Sequence, residues 1–151
     1  MSTVRAALAA LACSASGAAA PSQPAVVWSV HVPAAGGGTS GPAFEESLAS
    51  ARRAHQPVLI DFYAEWCAAC RLLDRSAFVS PMIIRETTRF VTIRVDTTLG
   101  DVEPTAIAAR FGVKGLPTLV FLSSSGELLP SPRVVGTIAP DALMSELRKV
   151  R

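Results

Sequence analysis

Residues 58–70 read VLIDFYAEWCAAC, and this stretch decides the fold. Its first half, VLIDFY, is a short apolar run of the kind that forms a buried strand. Its second half places Cys67 and Cys70 three residues apart, and the pattern predicts a helix that begins near Cys67 and continues through Phe78. A C-x-x-C pair that follows a strand and opens a helix, within a β-α-β pattern, indicates a redox-active dithiol.

The chemistry of this pair depends on its place at the start of a helix. Backbone N–H groups and the helix macrodipole favour a thiolate at Cys67. Cys70 lies one turn further on and can attack a mixed disulfide, so the pair meets both requirements of thiol–disulfide exchange. Zinc binding is one alternative, but it normally needs four ligands; there is no second C-x-x-C, and neither His31 nor His55 is at ligand spacing. An inert apolar pair is the other alternative.

The rest of the chain alternates strand and helix patterns. Strands are predicted at 26–32, 58–63, 90–95, 118–122 and 133–136, and helices at 44–54, 67–78, 82–88, 103–111 and 141–150. Pro81 breaks or kinks the helical stretch that follows the cysteines. The order β-α-β-α-β-α-β-β-α predicts an α/β fold with a central mixed sheet and helices on both faces.

Composition narrows the class of protein. The chain has 151 residues, half of them hydrophobic, which suits one domain with a full core. Fourteen basic and 12 acidic residues give a net charge of +2, so the chain lacks the excess of basic residues that is typical of nucleic-acid-binding proteins. We expect a signal peptide at 1–20, an N-terminal strand and flexible linker at 21–43, and one folded domain at 44–151.

The first 20 residues, MSTVRAALAALACSASGAAA, have the order of an export signal. Arg5 precedes a short apolar run at 6–12, and small residues follow to a cleavage region near 18–20. A lipoprotein signal is an alternative, in which Cys13 becomes the lipidated first residue of the mature chain. A misassigned start is a third. We therefore expect an exported, periplasmic protein, or else a lipoprotein anchored to a membrane.

The segment DFYAEWCAAC at 61–70, followed by GLPT at 115–118, resembles the thioredoxin superfamily. Within it, the segment is most similar to the C-terminal periplasmic domain of the DsbD family of membrane thiol reductases. The resemblance covers roughly 44–150 and implies a thioredoxin fold, with Cys67 as nucleophile and Cys70 as resolving thiol of a redox-active disulfide. The chain shows neither the membrane segments nor the N-terminal domain of DsbD, which leaves open a free-standing relative with different partners.

The GLPT turn carries the second element that the resemblance implies. It predicts a cis peptide bond between Leu116 and Pro117, placed beside the cysteines. Cis X–Pro bonds are uncommon in folded proteins, and where they occur they are usually functional features. Backbone groups exposed there would pair with the substrate as an added strand. The alternative is an ordinary trans proline that opens a strand.

Asp61 is the third candidate. It lies inside an apolar run, where an unpaired charge is costly. Its position, six residues before Cys67, matches the buried acid of the family. A buried carboxyl with a raised pKa would accept a proton from Cys70 as that thiol attacks. The alternative is an aspartate at a strand end, hydrogen-bonded to the backbone.

Three further side chains are assigned supporting roles. Asp74 lies one turn beyond Cys70, and the DsbD domain has an acidic residue at the matching place, where its charge would raise the thiol pKa. A solvated surface charge is the alternative for Asp74. Glu65 is expected to face solvent rather than to act in catalysis. Trp66 is expected to shield the motif and form part of the docking surface, with simple packing as its alternative.

The dipeptide Ala68-Ala69 bears on the direction of electron flow. Strongly oxidising pairs stabilise their thiolate, and two alanines supply neither charge nor a side-chain hydrogen bond. We therefore predict a reductant that acts on oxidised thiol proteins. No flavin or nicotinamide motif is found, so no cofactor is expected and a membrane thiol reductase would supply the electrons. We expect a monomer. The alternatives are a disulfide oxidase or isomerase, and a non-catalytic binding module or metal chaperone.

Overall fold

The computed structural model describes residues 24–32 and 40–151. In that part the elements are β1 Val30–Val32, α1 Ser40–Arg53, β2 Val58–Tyr63, α2 Ala68–Ser76, α3 Pro81–Thr87, β3 Val91–Asp96, α4 Val102–Arg110, β4 Thr118–Leu122, β5 Leu128–Val135 and α5 Pro140–Leu147. The predicted signal segment 1–20, with Cys13, lies outside the described residues, as does 33–39 of the predicted linker.

The five strands form one mixed sheet in the order β1-β3-β2-β4-β5. Strands β1, β3 and β2 run parallel, while β4 is antiparallel to β2, and β5 to β4. The predicted α/β architecture is thereby confirmed. In the β2–β3 pairing Asp61 lies directly beside Arg94, so the parallel register brings two charged residues together at the centre of the sheet.

Helices cover both faces of the sheet, and each face has its own core. On one face, Leu59 of β2 belongs to a cluster with buried side chains from α2, α3 and α5. On the other, Ile60 and Phe62 pack with side chains from α1 and α4. Because alternate residues of a strand point to opposite faces, Asp61 and Tyr63 share the face of Leu59, where α2 carries the second cysteine.

Several boundaries differ from the sequence prediction. Strand β1 is shorter, because the backbone of Val26 bonds to Phe78 instead of continuing the ladder. Helix α1 begins at Ser40, inside the range predicted as linker. Strand β5 begins five residues earlier than predicted and includes Pro130 and Pro132, which an edge strand tolerates. The predicted break at Pro81 is confirmed, since a separate helix starts there.

Candidate active site

The cysteine pair lies at the junction of β2 and α2. Cys67 is the N-cap of α2, and its Sγ accepts a hydrogen bond of 3.1 Å from the backbone N–H of Cys70. The two cysteines form a disulfide, with their Cα atoms 5.3 Å apart. Both are buried, at 6% and 2% exposed, and Cys67 is the more accessible. This geometry suits attack on a partner by Cys67 and an internal role for Cys70.

The loop before β4 faces the disulfide. The peptide bond between Leu116 and Pro117 is cis, and Leu116 packs against the cysteines. The Pro117 carbonyl accepts a hydrogen bond from the Gly136 N–H. In the part of the chain that the structure describes, nothing pairs with the backbone N–H or C=O of Leu116. The loop therefore leaves one backbone donor and one backbone acceptor of Leu116 unpaired.

A residue of β5 fixes the beginning of this loop. Arg133 Nη2 donates to the carbonyl oxygens of Phe111 and Gly112, at 2.9 and 3.0 Å. These carbonyls end α4 and would otherwise lack partners. Arg133 therefore holds the chain where it turns toward Leu116, a role that no pattern in the sequence indicated.

Asp61 is 1% exposed, and its Oδ2 lies 3.1 Å from Arg94 Nε. Burial raises the pKa of Asp61 from 3.8 to about 7; the positive charge of Arg94 opposes the rise, and the negative charge of Asp74 adds to it. The Nε–H direction does not meet hydrogen-bond geometry. The pair is therefore held mainly by charge attraction.

Asp74 is engaged by the same guanidinium. Its Oδ1 lies 2.5 Å from Arg94 Nη2, and its side chain is 34% exposed. The sequence left two arrangements open, a charge acting on the thiols or a solvated surface charge. The structure shows a third arrangement, in which the negative charge of Asp74 is paired with Arg94.

Arg94 is the residue at this site that sequence reasoning missed. Its guanidinium carbon lies 4.0 Å from the ring centroid of Tyr63 and 5.0 Å from that of Trp28, so aromatic rings as well as carboxylates surround it. Arg94 stands in the apolar strand Val91–Asp96. A charge in an apolar run needs a partner, and by this criterion Arg94 could have been singled out from the sequence in the same way as Asp61.

The turn before Cys67 is anchored by Thr98. The indole N–H of Trp66 donates to the Thr98 carbonyl oxygen at 3.0 Å, and the backbone N–H of Glu65 donates to Thr98 Oγ1 at 2.9 Å. Arg71 bonds to the Glu65 carbonyl oxygen. The Trp66 side chain is 65% exposed, so its ring is presented at the surface with its donor satisfied. The Glu65 side chain is also exposed.

A cleft of about 490 Å³ lies beside the disulfide. Its lining consists of Trp66, Thr97, Thr105, Ala108, Val113, Lys114, Gly115 and Leu116. Leu116 joins the cleft to the cysteines, since it also packs against them. Lys114 is the one charged residue among those that line it.

Two further findings concern residues 24–32 and 40–151. There, no three His, Cys, Asp or Glu side chains gather as they would around a metal ion. Within the same residues, every helix is too short or too polar to cross a bilayer.

Known proteins share this fold. A family profile described as thioredoxin-like domain matches residues 44–151. The chain therefore belongs to the thioredoxin-like family, and its C-x-x-C disulfide makes it a thiol:disulfide oxidoreductase.

Among curated relatives, the thiol:disulfide interchange protein DsbD of Pectobacterium atrosepticum is 33% identical over 94 residues, which are 62% of this chain and 16% of the relative. DsbD of Cronobacter sakazakii is 32% identical over 103 residues, 68% of this chain and 18% of the relative. The chain thus spans less than a fifth of the length of these relatives.

Solved structures agree on the fold. The DsbD C-terminal domain of Neisseria meningitidis, in its reduced form, superposes with a TM-score of 0.65 at 23% identity, covering 74% of this chain and 96% of that one. A thioredoxin from Thermus thermophilus superposes with a TM-score of 0.61 at 29% identity, covering 70% and 82%. The thioredoxin fold that the sequence resemblance implied is confirmed.

Proposed function

We propose that this protein is an exported reductant, which passes two electrons from the Cys67–Cys70 dithiol to disulfides of partner proteins. The observation that carries the direction is the surroundings of Cys67. Among the described residues, the only hydrogen bond to its Sγ comes from the Cys70 backbone N–H. The intervening Ala68 and Ala69 add none. The Cys67 thiolate therefore has the helix N-terminus to stabilise it but no side-chain hydrogen bond. A pair without that additional stabilisation favours its disulfide form and donates electrons more readily.

Exchange proceeds in two steps. The Cys67 thiolate attacks one sulfur of the substrate disulfide, forming a mixed disulfide and releasing the other substrate sulfur as a thiolate. Cys70 then loses its proton and attacks Cys67 Sγ, which forms the Cys67–Cys70 disulfide and releases the second substrate thiolate. The substrate gains two electrons and the dithiol loses two.

Asp61 accepts the Cys70 proton in this proposal. Asp74 lies one helical turn after Cys70, and Arg94 joins Asp74 to Asp61. Asp61 is therefore linked, through Arg94 and Asp74, to the turn of α2 that follows Cys70. With the pKa of Asp61 raised to about 7, a substantial fraction is ionised at neutral pH and a proton taken up there is easily given back.

The substrate docks across the loop that holds the cis-proline. The unpaired backbone groups of Leu116 suit an extended segment that adds as a short strand. Pro117 sets the direction of this loop. The exposed ring of Trp66 is one of the side chains that line the adjoining cleft. An extended segment bound there presents its disulfide to Cys67.

Export follows from the signal-like pattern at 1–20, with secretion or lipidation at Cys13 as the two outcomes. An oxidising compartment would keep the pair oxidised, so the reductant needs a dedicated electron donor. Without a flavin or nicotinamide motif in the chain, that donor is a separate membrane thiol reductase. Mass spectrometry of the mature N-terminus tests export; an intact Met1 would contradict it.

The first test is redox titration of the full chain against glutathione, together with insulin reduction. We expect a potential near that of thioredoxin, about −270 mV. Cys67→Ser should abolish insulin reduction, and Cys13→Ser, the matched control, should leave it unchanged. Cys70→Ser should trap a mixed disulfide with the partner.

Other outcomes would identify the alternatives. A potential near that of DsbA, about −120 mV, would indicate an oxidase. Efficient refolding of scrambled substrates would indicate an isomerase. Full biological activity of Cys67→Ser would indicate a non-catalytic binding module or a metal chaperone.

A further inference from the structure

A cleft with a single charged residue adjoins the redox disulfide. Apolar and hydroxyl-bearing side chains line most of it, and Lys114 is the one charged residue among them. We propose that this cleft selects substrate segments that carry an acidic side chain close to the cysteine under attack, and that Lys114 recognises the acid. The inference rests on the proposed docking of an extended segment at Leu116 and adds to it the chemical class of that segment.

The backbone on both sides of Lys114 is fixed, so its place beside the cleft is built into the fold. Before it, the Val113 N–H donates to the Ala108 carbonyl oxygen at 2.9 Å, which ties the loop to the last turn of α4. After it, the Gly115 carbonyl oxygen accepts from Thr118 Oγ1 at 2.7 Å, which ties the loop to the start of β4. Lys114 is therefore held in place while its side chain stays exposed.

The positive charge of Lys114 is available to a ligand. Within residues 24–32 and 40–151, no carboxylate forms an ion pair with it, whereas Lys149 pairs with Glu146 at 2.8 Å. Glu65 is the acid next to Trp66 in sequence, but its side chain is not among those that line the cleft. In the described part of the chain, the cleft thus has a positive charge and no counter-charge of its own.

The rest of the lining suits the remainder of an extended segment. Trp66, Val113 and Leu116 supply apolar surface. Such surface excludes part of the water, so an ion pair formed beside it is screened less than one on an open surface. A Cβ built on Gly115 would meet no atom of the described chain within 4 Å beyond its immediate neighbours, which leaves room for a second backbone to approach the loop.

The spacing of the loop indicates where the acid belongs. Leu116 packs against the cysteines, so a substrate cysteine that reaches Cys67 lies opposite Leu116. Lys114 precedes Leu116 by two residues, a distance of at most about 7 Å. Side chains two apart along an added strand share one face. The side chain opposite Lys114 is therefore about two residues from the attacked cysteine.

The test uses reduced full-length protein carrying Cys13→Ser, and short peptides whose single cysteine forms a mixed disulfide with 2-thiopyridine. Cys67 attacks the peptide sulfur, and the bond to the pyridine sulfur breaks. The pyridine sulfur leaves with the electron pair, takes up a proton and absorbs as pyridine-2-thione. Cys70 then attacks Cys67 Sγ and releases the peptide thiolate, so the mixed disulfide gains two electrons and the dithiol loses two.

The peptides differ at one position and are otherwise identical. One series carries Asp, Asn or Lys two residues before the cysteine, and a second series carries them two residues after it, because an added strand can run in either direction. In one of the series the Asp peptide should react about two- to fivefold faster than the Asn peptide, and the Lys peptide more slowly than both. The second-order rate constant of thione release measures this.

Variants of Lys114 assign the preference to its charge. Lys114→Gln should bring the ratio of the Asp to the Asn rate close to one, Lys114→Glu should reverse the order, and Lys114→Arg should keep it. Raising the ionic strength from about 0.01 M to about 1 M should remove the preference, since the Debye length falls from about 30 Å to about 3 Å. Lys149→Gln removes a lysine that does not line the cleft and is the matched control, with the ratio unchanged.

The outcomes separate this inference from the proposed function. If both series react no faster than a blocked cysteine without flanking residues, docking of an extended segment fails, and this inference fails with it. If the peptides react faster than that but Asp, Asn and Lys are equal, or if Lys114→Gln leaves the Asp preference intact, only the role of Lys114 is wrong. A potential near that of DsbA would overturn the reductant role, whereas an Asp preference lost in Lys114→Gln would still support the cleft.

Discussion

The two faces of strand β2 differ in kind. Ile60 and Phe62 point into a cluster of apolar side chains, where both are fully buried. The neighbouring Asp61 and Tyr63 point to the other face, where they meet the Arg94 guanidinium. One face stabilises the fold by apolar burial, whereas the other holds a charged cluster of Asp61, Arg94 and Asp74.

The difference shows that the face with the charged cluster contributes less to the free energy of unfolding than an apolar face would. Burying Asp61 disfavours its charged form, which an apolar side chain at the same position would avoid. A buried ion pair often contributes little net stability compared with apolar packing. The cost is consistent with a carboxyl kept for proton transfer, since it raises the pKa of Asp61 into the neutral range.

Ile60→Ala should break the apolar face and produce the largest effect. Ile60 is fully buried, and truncation of such a side chain costs about 2–5 kcal/mol in the free energy of unfolding. The loss should be the same at pH 5 and pH 8, because no titrating group is touched. Urea denaturation at both pH values measures it. Insulin reduction by the folded protein should stay within twofold of the parent; a specific loss of activity would show that the two faces are not separate in role.

Asp61→Asn should change the free energy of unfolding by an amount that depends on pH. The pKa of Asp61 is raised in the folded state, so the carboxyl favours folding below about pH 4, and that contribution is lost as pH rises through about 7. A shift of about 3 units corresponds to about 4 kcal/mol. The stability of Asp61→Asn relative to the parent should therefore increase between pH 4 and pH 8, by up to about 4 kcal/mol. A difference that does not vary with pH would mean that Asp61 is not a buried acid with a raised pKa.

Thr92→Val should have the smallest effect. Thr92 lies on β3 two residues before Arg94, on the same face of the sheet as Asp61. Thr92 Oγ1 donates to the Val27 carbonyl oxygen at 2.6 Å and accepts from the Ser29 N–H at 3.1 Å. Losing these partners should cost about 1–2 kcal/mol in the free energy of unfolding, by urea denaturation. The pH profile of Cys70 attack should not change; if it did, the polar face would act as one unit rather than only near the cysteines.

Much of the fold follows from local patterns. The apolar run at β2, the break at Pro81 and the cysteines at a helix start were all predicted from neighbouring residues, and each is seen. The extents of β1 and β5 were not, because they depend on contacts such as that of Val26 with Phe78, which lie far apart in sequence. An edge strand with two prolines has no local pattern that distinguishes it from a loop.

The redox pair could be recognised from the sequence, because Cys67, Cys70 and the strand before them all lie within residues 58–70. The sequence also singled out Asp61 by the cost of a charge in an apolar run. The pairing of both Asp61 and Asp74 with Arg94 is visible only in the tertiary structure. Arg94 is 33 residues from one and 20 from the other in sequence, and the parallel register of β2 and β3, set by packing of the whole sheet, brings it to both.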